Sequence, residues 1–169
     1  MNIEMIRTLY DYHFAANRRL WDDCVMALTD AQFIQDNDYS AGSVKGQILH
    51  IMTWDEQWFD RLRENEKSPG RLQPDQFADR AAIRAYWDNV ETGMRAYLAA
   101  LTGEVFAGTV LVRSKTWGDT DLPVWQILLH VANHATDHRA QTLRLLDQLG
   151  APTFEQDFMI YLGGWGRKK

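Results

Sequence analysis

The chain has 169 residues, of which 46% are hydrophobic and 24% are charged, and its formal net charge is −5. The length predicts one globular domain that spans residues 1–169. The acidic excess argues against nucleic acid or a membrane surface as the partner, because both require a basic patch. The basic residues Arg167, Lys168 and Lys169 cluster at the C-terminus, where a solvated tail is the simpler interpretation.

A single cysteine, Cys24, excludes an internal disulfide and fits a reducing compartment. It falls on an apolar helical stripe, so we expect a buried hydrophobic side chain and not a nucleophile. The first twenty residues mix acidic, basic and apolar side chains, which does not resemble a signal peptide. No apolar run approaches the ~20 residues that a membrane-spanning helix requires. We therefore expect a cytoplasmic protein.

Three long amphipathic segments come first along the chain. Residues 2 to about 28 lack glycine and proline and show apolar residues at helical spacing, which predicts a first helix. Ser43 is expected to cap a second helix over roughly 44–64, and a third helix is predicted over about 78–101. Residues 65–76 contain two prolines and a glycine and are predicted to form a surface connection.

Residues 104–123 are rich in β-branched and turn-forming residues, which predicts a short extended or hairpin-like excursion. Pro123 suits the first turn of a fourth helix, with Asp121 as its cap. This helix should run to about Gln148 and stop at Gly150. A short C-terminal helix is expected in the segment FEQDFMIYL. The predicted fold class is therefore all-α, a four-helix bundle.

Three of the five histidines lie in the fourth predicted helix at four-residue steps, in the stretch HVANHATDH. A helical wheel places His134 and His138 towards the bundle interior and His130 on the flank. Side chains four residues apart on a helix are close enough to share one metal ion, whereas His130 and His138 are two turns apart. The interior pair is therefore the better candidate for a metal site.

The alternative is that these histidines only pack in a core. The known metalloprotease signature places a glutamate between its two histidines, and none lies between His134 and His138, so such a protease is not expected. A third ligand would come from His13 or His50, each on a predicted helix. Periodicity alone slightly favours His13, which lies on the apolar stripe of the first helix.

Four segments together resemble the DinB/YfiT-like superfamily. HVANHATDHRAQ is similar to its closing signature, H-x-x-N-H-x-x-x-H-R-x-Q. The other three segments resemble family patterns in the same order along the chain: YDYHFAANRRLW, QILHIMTWDEQWF and PTFEQDFMIYL. The resemblance implies a four-helix bundle with one divalent metal ion, and by analogy it assigns His50, His134 and His138 as the ligands.

Further expectations concern the surroundings of that site. Asn17 and Gln141 are candidates for hydrogen bonds to a ligand histidine or for facing the open coordination position, and helix–helix bonding is the alternative for both. Trp54 is a candidate for the wall of an apolar substrate pocket, whereas core packing is favoured for Trp58. Arg139 and His130 are expected to be structural.

The resemblance also implies a function. Zinc is the expected metal, with nickel or iron as alternatives. A low-molecular-weight thiol would be activated for transfer to an electrophile, as in the family's metal-dependent thiol transferases. A metal-dependent hydrolase that uses a bound hydroxide is the second hypothesis. A non-catalytic, metal-bound dimeric bundle that acts as a sensor or stress-interaction protein is the third. A homodimer is expected in each case.

Overall fold

The computed structural model describes residues 2–63, 70–116 and 118–165. The elements in chain order are α1 (Ile3–Arg19), α2 (Asp30–Ile34), α3 (Val44–Leu62), α4 (Arg80–Ala100), α5 (Gly103–Ala107), β1 (Thr109–Val112), β2 (Thr120–Pro123), α6 (Val124–Gln148) and α7 (Phe158–Leu162). The long helices α1, α3, α4 and α6 form the bundle, and the two strands pair as an antiparallel hairpin. The predicted all-α four-helix bundle, with its hairpin and short C-terminal helix, is confirmed.

The first predicted helix has the expected extent but not one uniform backbone. After α1 the chain makes a π-helical turn at Leu20–Cys24 and a 3-10 turn at Val25–Ala27. A π turn adds a residue to one helical turn, so the buried stripe shifts along the sequence. Cys24 is 1% exposed, and burial raises the pKa of its thiol to about 11. This environment agrees with the expected role of a small buried hydrophobic residue.

The predicted ends of the helices are largely correct. The Ser43 side chain accepts a hydrogen bond from the Gly46 N–H at 3.0 Å, which caps α3. Gly150, with φ of 72°, terminates α6, and the Ala151 N–H returns to the Leu146 carbonyl at 2.9 Å. The prediction that Asp121 caps α6 is wrong. Asp121 lies in β2 opposite Leu111, because the strand runs directly into the helix.

Parts of three predicted segments lie outside the described residues: residues 64–69, residue 117 and residues 166–169. The last of these contains the basic cluster at the C-terminus. Residues 70–73 of the predicted connection are irregular and lead into a 3-10 turn at Pro74–Gln76. Within the described part of the chain, no helix combines the length and the apolar content that crossing a membrane requires.

The helix pair α3 and α6 forms the face on which the histidines meet. Trp58 packs against His130 near one end of this face, and Gln47 bonds Gln141 near the other. Residue numbers therefore rise along α3 while they fall along α6, so the two helices are antiparallel. Helix α1 packs against α6, and α4 packs against α3. The pair of Arg18 on α1 with Glu91 on α4, at 3.1 Å, closes the four-helix arrangement.

A buried polar layer crosses the bundle between two apolar clusters. Its members are 3% exposed or less: His13, Asn17, Asp55 and Arg139. The Arg139 guanidinium donates to Asn17 Oδ1 at 2.8 Å, to Thr136 Oγ1 at 2.9 Å and to Gln156 Oε1 at 3.2 Å. One side chain of α6 is therefore bonded both to α1 and to the segment that precedes α7.

His13 connects the two charged members of this layer. Its Nε2 lies 3.2 Å from Asp55 Oδ2, and its Nδ1 lies 3.5 Å from Arg139 Nη1. A guanidinium nitrogen only donates, so Nδ1 is the acceptor in the contact with Arg139. His13 bridges a buried carboxylate and a buried guanidinium. Breaking the bridge leaves a charge without compensation.

We expect Arg139→Met to lower the free energy of unfolding by about 3–5 kcal/mol, because Asp55 then remains buried without its counter-charge. Adding Asp55→Asn to that variant should restore part of the loss, since the uncompensated charge is removed. The measurement is urea unfolding of the two single variants and the double variant.

Arg144→Met is the control on the same helix. The Arg144 pair with Asp147 is exposed, with side-chain exposures of 69% and 65%. Its loss should change the free energy of unfolding by about 0.5 kcal/mol or less. Additive effects of the Arg139 and Asp55 substitutions would contradict the charge coupling.

Candidate metal centre

Three histidines from two helices converge at one place on the α3–α6 face. His50 comes from α3, and His134 and His138 come from successive turns of α6. One ring nitrogen from each lies within 4.8 Å of the others, and all three side chains are half-buried. Of the two residues left open as a third ligand, the structure brings His50, and not His13, to the α6 pair.

The separation of two of these nitrogens suits a metal ion. Nε2 of His50 and Nε2 of His134 are 3.3 Å apart. Two nitrogens that bind one tetrahedral zinc ion at 2.0–2.1 Å are separated by about 3.3–3.4 Å. The two rings therefore need no large movement to hold one ion between them.

The surroundings keep these histidines uncharged. Burial, and then the neighbouring His138, lower the pKa of His50 to about 4. The pKa of His134 is lowered to about 4 mainly by burial, with smaller contributions from His138 and His50. Burial also lowers the pKa of His138. At neutral pH the rings therefore present lone pairs, which is the state that binds a cation.

A chain of amides fixes the orientation of His138. Its Nδ1 lies 2.9 Å from Oε1 of Gln47, an oxygen that can only accept, so Nδ1 bears the proton and Nε2 has its lone pair free. The Gln47 amide donates to Gln141 at 3.1 Å, and Gln141 donates to Asp137 at 3.0 Å. Gln141 thus reaches the ligand histidine only through Gln47.

Gln47 is a site residue that the sequence analysis missed. It is 0% exposed and lies three residues before His50, so both side chains lie on one face of α3. A glutamine three residues before a candidate ligand histidine, on the same face of a helix, was the feature of the sequence that could have identified it. No comparable group holds His50, because within the described residues its buried Nδ1 has no hydrogen-bond partner. Its Nε2, which lies against Nε2 of His134, is the nitrogen placed to bind a cation.

The remaining three predicted residues lie in three different places. The Trp54 ring lies 6.0 Å from the His50 ring and 6.0 Å from the His134 ring, so it forms part of the wall of the site. Asn17 bonds His13 and Arg139 and belongs to the buried polar layer. His130 is exposed, as the wheel predicts for a flank position, and its ring lies 5.9 Å from that of His134.

The DinB family model matches residues 2–165. The chain belongs to the DinB family. Its fold is similar to the crystal structure, at 2.30 Å resolution, of a DinB-like protein, YjoA, from Bacillus subtilis. That match has a TM-score of 0.63 and 12% sequence identity, and it covers 91% of this chain and 99% of that chain. No curated protein matches this sequence. At this identity the likeness shows the DinB fold, and the site rests on the residues of this chain.

We expect Gln47→Leu to weaken metal binding about 10–100-fold, because the substitution removes the acceptor that orients His138. Gln141→Leu is the matched control, since Gln141 is one hydrogen bond further from the ring and its loss should have a smaller effect. Competition with a chromophoric chelator measures both affinities. An unchanged affinity in folded Gln47→Leu would contradict the orienting role.

Proposed function

We propose that His50, His134 and His138 bind one divalent metal ion, with zinc as the expected ion and nickel or iron as alternatives. Neutral imidazoles suit each of these metals. The 3.3 Å separation of Nε2 of His50 and Nε2 of His134 supports the proposal. So do the lowered pKa values of the three rings. Three protein ligands leave a tetrahedral ion one position for a substrate, which is the arrangement of catalytic sites.

We further propose that the site activates a low-molecular-weight thiol for transfer to an electrophile. The observation behind this proposal is the donor set itself, which among the described residues consists of histidines without a carboxylate. Neutral ligands leave both positive charges of the ion uncompensated, and such an ion stabilises a bound thiol as its thiolate. The chain's own contribution is to orient the ligands through Gln47 and to supply an apolar wall at Trp54.

The test uses protein that contains cobalt in place of the native metal, because a thiolate bound to Co(II) gives a charge-transfer band in the near ultraviolet. We expect this band on addition of a simple thiol such as mercaptoethanol. The protein should also accelerate consumption of an electrophile, chlorodinitrobenzene, only when thiol is present. The rate with His138→Ala should fall to that of the metal-free protein.

Each alternative function has its own result in the same assay. Turnover of a test ester without thiol, together with the absence of the charge-transfer band, would contradict thiol activation and favour the hydrolase. Metal binding without turnover of ester or electrophile would contradict both enzymes and favour a non-catalytic bundle. Arg144→Met serves as the control variant, because Arg144 is exposed on the same helix and lies outside the cluster of ligand atoms.

A further inference from the structure

Arg61 lies on the same face of α3 as His50. The two residues are 11 positions apart, which corresponds to about three helical turns and about 16 Å of rise. Trp54 and Trp58 occupy the intervening turns of this face. Side chains on a helix lean towards its N-terminus, so Arg61 leans towards the metal centre.

A continuous row of rings joins the histidine cluster to this arginine. The His134 ring lies 5.9 Å from the His130 ring, which lies 5.3 Å from the Trp58 ring. The guanidinium carbon of Arg61 lies 4.8 Å above that same tryptophan. The ring of the half-buried Trp54 lies beside these rings, 6.0 Å from the His134 ring. We call Trp54, Trp58 and His130 the aromatic row.

Arg61 differs from the other arginines that pack on aromatic rings. Among the described residues six others do so: Arg19, Arg63, Arg80, Arg84, Arg95 and Arg139. Each of the six also bonds an oxygen of a side chain or of the backbone. Arg61 has no such oxygen among the described residues, and its buried Nη1 has no hydrogen-bond partner there.

An unpartnered guanidinium in a partly buried position is unfavourable. Burial lowers the pKa of Arg61, which reflects the loss of solvation of its charge. A buried polar group without a partner costs free energy that a bound anion would recover. Carboxylates match the guanidinium well, because two parallel N–H groups can donate to the two oxygens.

We propose that Arg61 binds the carboxylate of an elongated thiol whose sulfur occupies the metal centre. The chain between the two ends of this ligand would lie along the aromatic row, where Trp54 and His130 offer partly open ring surfaces. This inference rests on the proposed thiol function and names its substrate class, a thiol with a carboxylate remote from the sulfur. The metal selects the sulfur, and Arg61 selects the length and charge of the molecule.

The test compares three thiols on the cobalt-containing protein through the charge-transfer band. Mercaptoundecanoate has a distant carboxylate, mercaptoundecanol is its neutral counterpart, and mercaptopropionate is an acid too short to span the row. We expect mercaptoundecanoate to bind about tenfold or more tightly than mercaptoundecanol, as for a hydrogen bond to a charged group. In Arg61→Gln this preference should fall to within about twofold, with the metal content unchanged.

Three controls separate a contact at Arg61 from general charge attraction. Arg63→Gln should keep the preference, because Arg63 also packs on a ring but is already bonded to Asp60 at 3.3 Å. Arg61→Lys should keep part of it. The affinity for mercaptopropionate should not respond to Arg61→Gln.

Two results would overturn the proposal. One is a preference for the long acid that persists in metal-loaded Arg61→Gln, and the other is an equal loss of affinity for the short acid. The absence of a charge-transfer band with mercaptoundecanol as well would contradict the proposed thiol function itself, and this inference with it. A band of normal strength without any preference for the acid would contradict only the role of Arg61.

Discussion

The rotation of α6 is constrained by one buried guanidinium. Arg139 is 0% exposed and bonds Asn17 on α1 and Gln156 near the C-terminus. It directly follows His138, so any rotation of α6 that moves the guanidinium away from its partners also moves the histidine. The buried contacts of Arg139 on one side of the helix therefore hold His134 and His138 towards α3 on the other. The arrangement of the candidate metal centre therefore depends on the buried polar layer.

Helix α3 contributes most of the remaining features to the same face. Gln47 orients His138, His50 supplies a second nitrogen of the candidate metal centre, and Trp54 forms a wall beside them. Arg61 follows about three turns beyond His50. One helix surface thus combines two candidate metal-site residues, aromatic rings and an arginine that has no oxygen partner among the described residues. The ligand that we propose for this surface is an elongated, acidic thiol.

Periodicity predicted the four long helices and placed His134 and His138 inward and His130 on the flank, because burial on a helix follows its 3.6-residue repeat. It could not choose between His13 and His50. Both lie on or beside apolar stripes, but which side chain meets which partner depends on the offset and rotation between helices. His13 turned out to bridge Asp55 and Arg139. The prediction that Asp121 caps α6 was wrong for a similar reason, because pairing within the hairpin determines the backbone conformation of Asp121. The family resemblance, and not spacing, assigned His50.

The most direct test of the account is the metal content of the purified protein, prepared without a nickel column and measured by plasma mass spectrometry. We expect one ion per chain, lost in each of His50→Ala, His134→Ala and His138→Ala. His130→Ala, on the same helix and in the same four-residue series, should retain it. Two results would contradict metal binding by these histidines: a folded protein that contains no metal, or a metal content that the three substitutions do not change. The converging histidines would then only pack between the helices.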